Sequence, residues 1–162
     1  MKNNQSVRIM VFGTFDIIHE GHKNFFKQAR GLAGRLSPYL IVSLARAQNV
    51  KHIKGVVPDS SEQKRLAQIK KLPEVDRVVL GALGDHIPHI VKEKPDIIAL
   101  GYDQKAYTHG LRLQLRHAGL DCQVIRLKSY KPRQYKTSII KARLQNLSRS
   151  HSRRKSQWIH EK

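Results

Sequence analysis

The chain has a single cysteine, few carboxylates, few aromatic rings and no long apolar run. Its one thiol, Cys122, excludes an internal disulfide and suits a reducing compartment. It sits in an apolar stretch and reads as core. No run of about 18 apolar residues occurs, so no membrane-spanning helix is expected. No apolar block accompanies Met1-Lys2-Asn3-Asn4-Gln5, so no secretory signal is read there, and the expected location is the cytoplasm. Acidic residues number 12 against 31 Lys and Arg, a formal net charge of +19. Residues 1–100 hold 16 basic and 9 acidic residues, whereas 101–162 hold 15 and 3. Such a field attracts polyanions: nucleoside triphosphates, nucleic acid or an anionic surface. Aromatic residues make up only 6% of the chain, and no aromatic-rich nucleic-acid motif accompanies the charge.

What is present is a regular alternation of short apolar runs and helical patterns across 162 residues, the size of one ordinary domain. Val7 to Phe12 reads as a buried strand, and Phe25, Phe26, Ala29, Leu32 and Ala33 have helical spacing. Tyr39 to Leu44 is a second strand, entered through Ser37-Pro38, and Ala45 to Asp59 reads as a polar, basic connection. A helix is expected from about Ser60 to Leu72, capped by Ser60 or Ser61 and stopped by Pro73. Val75 to Leu80 is a third strand, Asp85 to Lys94 a helix and Ile97 to Leu100 a fourth strand. Thr108 to Ala118 is a helix closed by Gly119, and Cys122 to Leu127 is a fifth strand. The last helix should run from Thr137 or Ser138 to about Leu147. Strands separated by helices indicate βαβ units, hence an α/β fold: a Rossmann-like, doubly wound, five-stranded parallel sheet of order 3-2-1-4-5. Residues 1–147 form the expected domain, and the Ser-, Arg- and Lys-rich segment 148–162 is expected to be a mobile tail.

The chemistry concentrates in Phe12 to His22, a strand-to-helix turn at the edge where open α/β sheets bind ligands. Gly13 lets backbone approach a ligand, Thr14 offers a hydroxyl, and a helix beginning near Glu20 aims free N–H groups at the same place. His19 and His22, spaced i, i+3, can share a pocket at that helix N-terminus. Gly21 between them keeps its floor open. Two imidazoles beside a phosphate can donate hydrogen bonds to oxygens that gain charge during phosphoryl or nucleotidyl transfer.

Gly13-Thr14-Phe15-Asp16 followed by His19-Glu20-Gly21-His22 resembles the signature of the cytidylyltransferase-like nucleotidyltransferases. The resemblance implies catalytic roles for His19, His22 and Lys54, the last in Lys51-His52-Ile53-Lys54-Gly55, similar to the family's lysine-bearing loop. It implies nucleotide binding by Gly13, Thr14, Phe15 and Gly21, and by Gly101 and Asp103 of Gly101-Tyr102-Asp103-Gln104. Thr137 and Ser138 resemble the hydroxyl residues opening the family's last helix. The arginine-containing run before them is altered here to Arg133-Gln134-Tyr135-Lys136, so Lys136 or Arg133 would supply the missing charge. Arg65-Leu66 resembles a further family stretch, with Glu62 out of register and assigned no role. Asp16 reads either as a water-mediated contact to metal or as a structural cap.

Pro95 to Leu100 followed by Gly-Tyr-Asp-Gln is most similar to the archaeal-type FAD synthases, which implies AMP transfer from ATP to FMN with loss of pyrophosphate. Tyr102, Tyr107, Tyr130 and Tyr135 are the aromatics available to wall a flavin. The alternative acceptor is glycerol 3-phosphate or another small alcohol phosphate, with CTP as donor. A reading of another class is a basic nucleic-acid-associated protein using the domain as scaffold and 148–162 as its contact. The resemblance also implies Mg²⁺ held by substrate oxygens and water, and a homodimer is common among such proteins. His86, His89, His109 and His117 lack a Cys or carboxylate cluster and read as surface histidines.

Overall fold

The computed structural model describes residues 6–106 and 108–159, with backbone alone described for 150–159. Tyr107, singled out above, lies outside the described residues. The elements in chain order are β1 (Ser6–Gly13), α1 (Glu20–Gly31), β2 (Ser37–Leu44), α2 (Ala47–Lys54), α3 (Glu62–Lys70), β3 (Arg77–Leu80), α4 (Ile87–Glu93), β4 (Ile97–Leu100), α5 (Leu111–His117), β5 (Gln123–Arg126) and α6 (Thr137–Ile159). The strands form one parallel sheet of order β3-β2-β1-β4-β5, as the alternation predicts.

β1 is the axis of the sheet. It pairs with β2 from Ser6↔Ser37 to Gly13↔Leu44, and with β4 from Ile9↔Ile97 to Val11↔Ala99. Ile9, Met10 and Val11 are completely buried because helices cover both faces, which is why the strand reads as an unbroken apolar run rather than an alternating one. Ile9 and Val11 pack with Phe26 and Ala29 of α1 and Ile69 of α3. Met10 points the other way, to Ile90 of α4, Leu111 and Leu115 of α5, and Cys122. Burial pushes the Cys122 thiol up to about 11, so it stays a protonated core side chain.

Three elements differ from the sequence reading. The polar connection after β2 contains a helix, α2. Its start is held from outside: Glu62 Oε1 of α3 accepts the Ala47 N–H at 2.8 Å, and Glu62 Oε2 pairs with Arg46 at 3.3 Å. Its end is closed by Gly55 at φ +72°, whose N–H bonds back to Lys51 O. α5 begins at Leu111 rather than Thr108, after Gly110 at φ +65°. α6 continues past Leu147 to Ile159, through a stretch with neither Gly nor Pro to stop it. α3 follows expectation, with the Ser61 hydroxyl accepting the Lys64 N–H.

Candidate active site

The loops leaving the carboxyl ends of the strands converge on one cleft of about 720 Å³, within the range of small-molecule sites. At its centre is the β1–α1 turn. Phe15 is held at φ +48°, a conformation unusual for a bulky residue. Its ring lies under Gly13 so closely that a Cβ on that glycine would fall 2.5 Å from Phe15 Cζ. The ring is only 4% exposed and meets the His22 ring edge-on at 5.1 Å and Phe26 at 5.3 Å. Phe15 therefore seats His22 from below.

His19 is the extended N-cap of α1, and its carbonyl accepts the N–H groups of His22 and Lys23. The His19 and His22 rings stack with centroids 3.8 Å apart at 22°. A side chain at Gly21 would meet the His19 ring and the Tyr135 carbonyl, each at 2.9 Å. Burial holds His19 below its ordinary value, with Glu20 opposing. Burial, followed by the charges of His19 and Lys54, brings His22 down to about 3. At neutral pH both rings are uncharged, each with one N–H to donate. His19 Nδ1 is buried with no hydrogen-bond partner among the described residues, and His19 Nε2 lies 3.4 Å from Thr137 Oγ1 at the start of α6.

The other groups approach from neighbouring strands. Lys54 ends α2 with Nζ 3.3 Å from Thr14 Oγ1. After β4, Arg126 Nη1 of β5 donates to Gly101 O at 2.7 Å and Gln104 O at 2.8 Å, clamping the Gly101–Gln104 turn that carries Asp103. Asp103 pairs with Lys136 at 3.7 Å, and Thr137 and Ser138 open α6 beside it. All the residues expected from the motifs line this cleft: Gly13, Thr14, Phe15, His19, Gly21, His22, Lys54, Gly101, Asp103, Thr137 and Ser138. Lys136 lines it too, whereas Arg133 is not among the lining residues.

Asp16 faces away from that space. It is 5% exposed; its Oδ2 accepts the Asp59 N–H and its Oδ1 the Ser60 N–H, each at 2.8 Å, and Lys141 of α6 pairs with it. With both oxygens engaged, it acts as a structural cap. Arg65, fully buried, donates to Thr14 O, Ala45 O and Ser60 O, tying the turn after β1 to those after β2 and α2.

Sequence reasoning noted Arg65 only as part of a family-like stretch and missed what it does, because two of its three acceptor carbonyls, Thr14 O and Ala45 O, come from distant turns. It also placed His86 and His89 on the surface, whereas both line the cleft, and His89 Nε2 lies 3.0 Å from the buried Ser43 Oγ. Their i, i+3 spacing is visible in the sequence; only the packing of α4 shows which way they face.

A parallel sheet of this order, with two uncharged imidazoles, a lysine and a helix N-terminus gathered over β1, is the frame of a nucleotidyltransferase. The family model described as Cytidylyltransferase-like matches residues 10–143, and the chain belongs to that family. Within it, the chain is 46% identical over 123 residues to the FAD synthase of Korarchaeum cryptofilum, covering 76% of this chain and 82% of that protein. It is 39% identical over 149 residues to the FAD synthase of Archaeoglobus profundus, covering 86% and 92%. A solved structure described as the lipopolysaccharide core biosynthesis protein from Thermoplasma volcanium GSS1 superposes with a TM-score of 0.70 at 36% identity, covering 77% of this chain and 98% of that one.

Proposed function

We propose that this chain is an FMN adenylyltransferase, transferring AMP from ATP to FMN to give FAD and pyrophosphate. The observation that carries the reading is its 39–46% identity to FAD synthases over 75% or more of its length. A phosphate oxygen of FMN attacks the α-phosphorus of ATP. The new P–O bond joins the two phosphates as the bond to pyrophosphate breaks. Such transfers depend on positioning and charge stabilisation more than on covalent work by the protein.

We assign His19 and His22 to the transferred phosphate, donating N–H groups to its oxygens as their charge grows. Being neutral, they give up no proton they need to retain. Lys54 and Thr14 take the incoming phosphate. Thr137, Ser138 and Lys136, at the positive end of α6, take the departing pyrophosphate, and Asp103 takes a ribose hydroxyl. Mg²⁺ belongs to the proposal as the ion that neutralises charge on the phosphates. The cleft's donor set is imidazole, hydroxyl and ammonium with the lone carboxylate of Asp103, and no cluster of three His, Cys, Asp or Glu occurs among the described residues. Phosphate oxygens and water would therefore make up most of the ion's shell.

ATP and FMN are the partners this reading requires, and the proposed location is the cytoplasm. No helix among the described residues is long and apolar enough to cross a membrane. The test is pyrophosphate release with ATP and CTP, each against FMN and glycerol 3-phosphate. Release confined to ATP with FMN is the expected result. Release with CTP and glycerol 3-phosphate would refute the substrate pair while retaining the reaction.

A further inference from the structure

The positive charge of the chain gathers towards its end. Between Asp121 and Glu161 there is no carboxylate, and the same stretch holds 11 Lys and Arg. Three of these are engaged by the body of the fold. Arg126 clamps the Gly101–Gln104 turn, Lys136 pairs with Asp103, and Lys141 pairs with Asp16 and Asp59. Lys128, Lys131, Arg133, Arg143 and Arg149 are exposed and meet no carboxylate among the described residues. The sequence adds Arg153, Arg154 and Lys155.

Five of those eight cations stand on α6, a helix used by the body only at its start. Thr137 and Ser138 line the cleft, and Lys141 fastens the next turn. From Ala142 to Arg149 every residue is exposed, Leu144 at 53% and Leu147 at 59%. The helix nevertheless runs on to Ile159, 23 residues in all, about 35 Å of axis. Helices in proteins owe most of their stability to a buried face, and a solitary one is marginal in water. Arg149 and Arg153, four residues apart on α6, add a like-charged pair that weakens it further. A partner carrying negative charge along its length relieves both.

We propose that the exposed length of α6, with Lys128, Lys131 and Arg133 in the connection leading into it, is a docking surface for RNA. The match is one of charge: a row of cations without intervening carboxylates meets a row of phosphates. The serines between the cations bring hydroxyls, which hydrogen-bond phosphate and sugar oxygens. An anionic membrane fits less well, because an interfacial helix carries large apolar side chains along one face and residues 148–157 contain none. Duplex DNA is gripped by basic helices forked in pairs from an apolar seam, and the exposed part of α6 offers only Leu144 and Leu147 for one. A single arginine-rich helix suits RNA, whose loops and bulges open its backbone and bases to a side chain. The surface begins one turn beyond the residues that line the cleft, so RNA binding does not depend on the reaction proposed above.

The experiment titrates the full chain against a labelled RNA hairpin with an unpaired loop, by fluorescence anisotropy at about 50 and 200 mM salt. A variant carrying R149Q, R153Q, R154Q and K155Q is compared with one carrying K27Q, K70Q, K71Q and K92Q, which removes the same charge from exposed positions on the body. The α6 variant should bind RNA about 10-fold or more weakly at the lower salt, its log–log salt slope reduced by about 2 to 3. The body variant should stay within about 3-fold of wild type, and both should keep the wild-type melting temperature. Equal losses in the two variants would trace the attraction to net charge alone and overturn the surface. A wild-type chain that binds no RNA at the lower salt would overturn it as well. So would a DNA duplex that competes as well as the RNA, or tighter binding to phosphatidylserine vesicles than to RNA. Self-association of the RNA-free chain that the α6 variant abolishes and RNA does not displace, read by analytical ultracentrifugation, would give the helix to a second copy instead.

Discussion

Replacing Lys141 with methionine should cost stability in a pH-dependent way. Lys141 lies one turn beyond Thr137 on α6, with Nζ 2.5 Å from Asp16 Oδ2 and 2.8 Å from Asp59 Oδ2. Its side chain is 27% exposed and that of Asp16 only 4%. Burial alone would raise the Asp16 carboxyl. The Lys141 ammonium and the Asp59 and Ser60 N–H groups outweigh that effect, leaving it below its ordinary value of 3.8. Breaking a fully buried pair costs about 3–5 kcal/mol, but two backbone donors remain on Asp16 here, so the expected loss at pH 7 is about 1.5–3 kcal/mol. A carboxyl depressed in the folded state stabilises fully above its unfolded value, and that contribution is lost as pH falls through the folded one. The gap between wild type and variant should therefore be widest at neutral pH and narrow below about pH 4. Urea unfolding followed by circular dichroism, at pH 7 and at successive steps down to pH 3, measures it. A gap under about 0.5 kcal/mol at pH 7, or one that stays constant with pH, would refute the reasoning.

Removing His19 or His22 by substitution with alanine should lower turnover by about 10²- to 10³-fold in single-turnover assays, with far-ultraviolet dichroism unchanged. Because His22 titrates at about 3 when folded and near 6.5 when unfolded, stability should decline as pH drops below 6.5, and turnover should show no step at that pH. Melting curves and a pH–rate profile check the two halves of that statement. Gly21→Ala sets a Cβ 2.9 Å from both the His19 ring and the Tyr135 backbone carbonyl, so kcat should fall at least about 10-fold and the melting temperature should drop with it, read by steady-state kinetics and thermal melting. Deleting 148–162 should leave nucleotidyl transfer intact and reduce any salt-dependent RNA binding, read by titration at two ionic strengths. Turnover falling along with RNA affinity would show that the segment is part of the enzyme's working fold.

The central part of the site is legible from sequence because it is contiguous. A buried strand, Gly13, Thr14 and the His19–His22 spacing lie within one turn, and local chemistry alone brings them together. Lys54 and Asp103 are placed by resemblance, to the family's lysine-bearing loop after the second strand and to the Gly-Tyr-Asp-Gln run after the fourth. What escapes is set by tertiary contacts. α2 has one buried residue, Val50, and depends on a carboxylate from α3 to hold its start, so no periodicity announces it. Arg65 carries a family resemblance in sequence, but the three carbonyls it ties together are seen only in the folded chain. Asp16 offers two roles in sequence, and only the folded loop after α2 decides between them.

The order β3-β2-β1-β4-β5 also bears on how such a protein can change over time. The transfer turn hangs from the middle strand, whereas α2 and the turn after β3, which line the same cleft, hang from the strands on one flank. Exchanging residues in α2 and in the turn after β3 would leave every ladder hydrogen bond of β1 in place. Loops at a sheet's edge tolerate such replacement far better than the core beneath them. One scaffold can thus be handed from acceptor to acceptor while its phosphate chemistry stands still, and a family described by cytidylyl transfer can come to hold FAD synthases among its members.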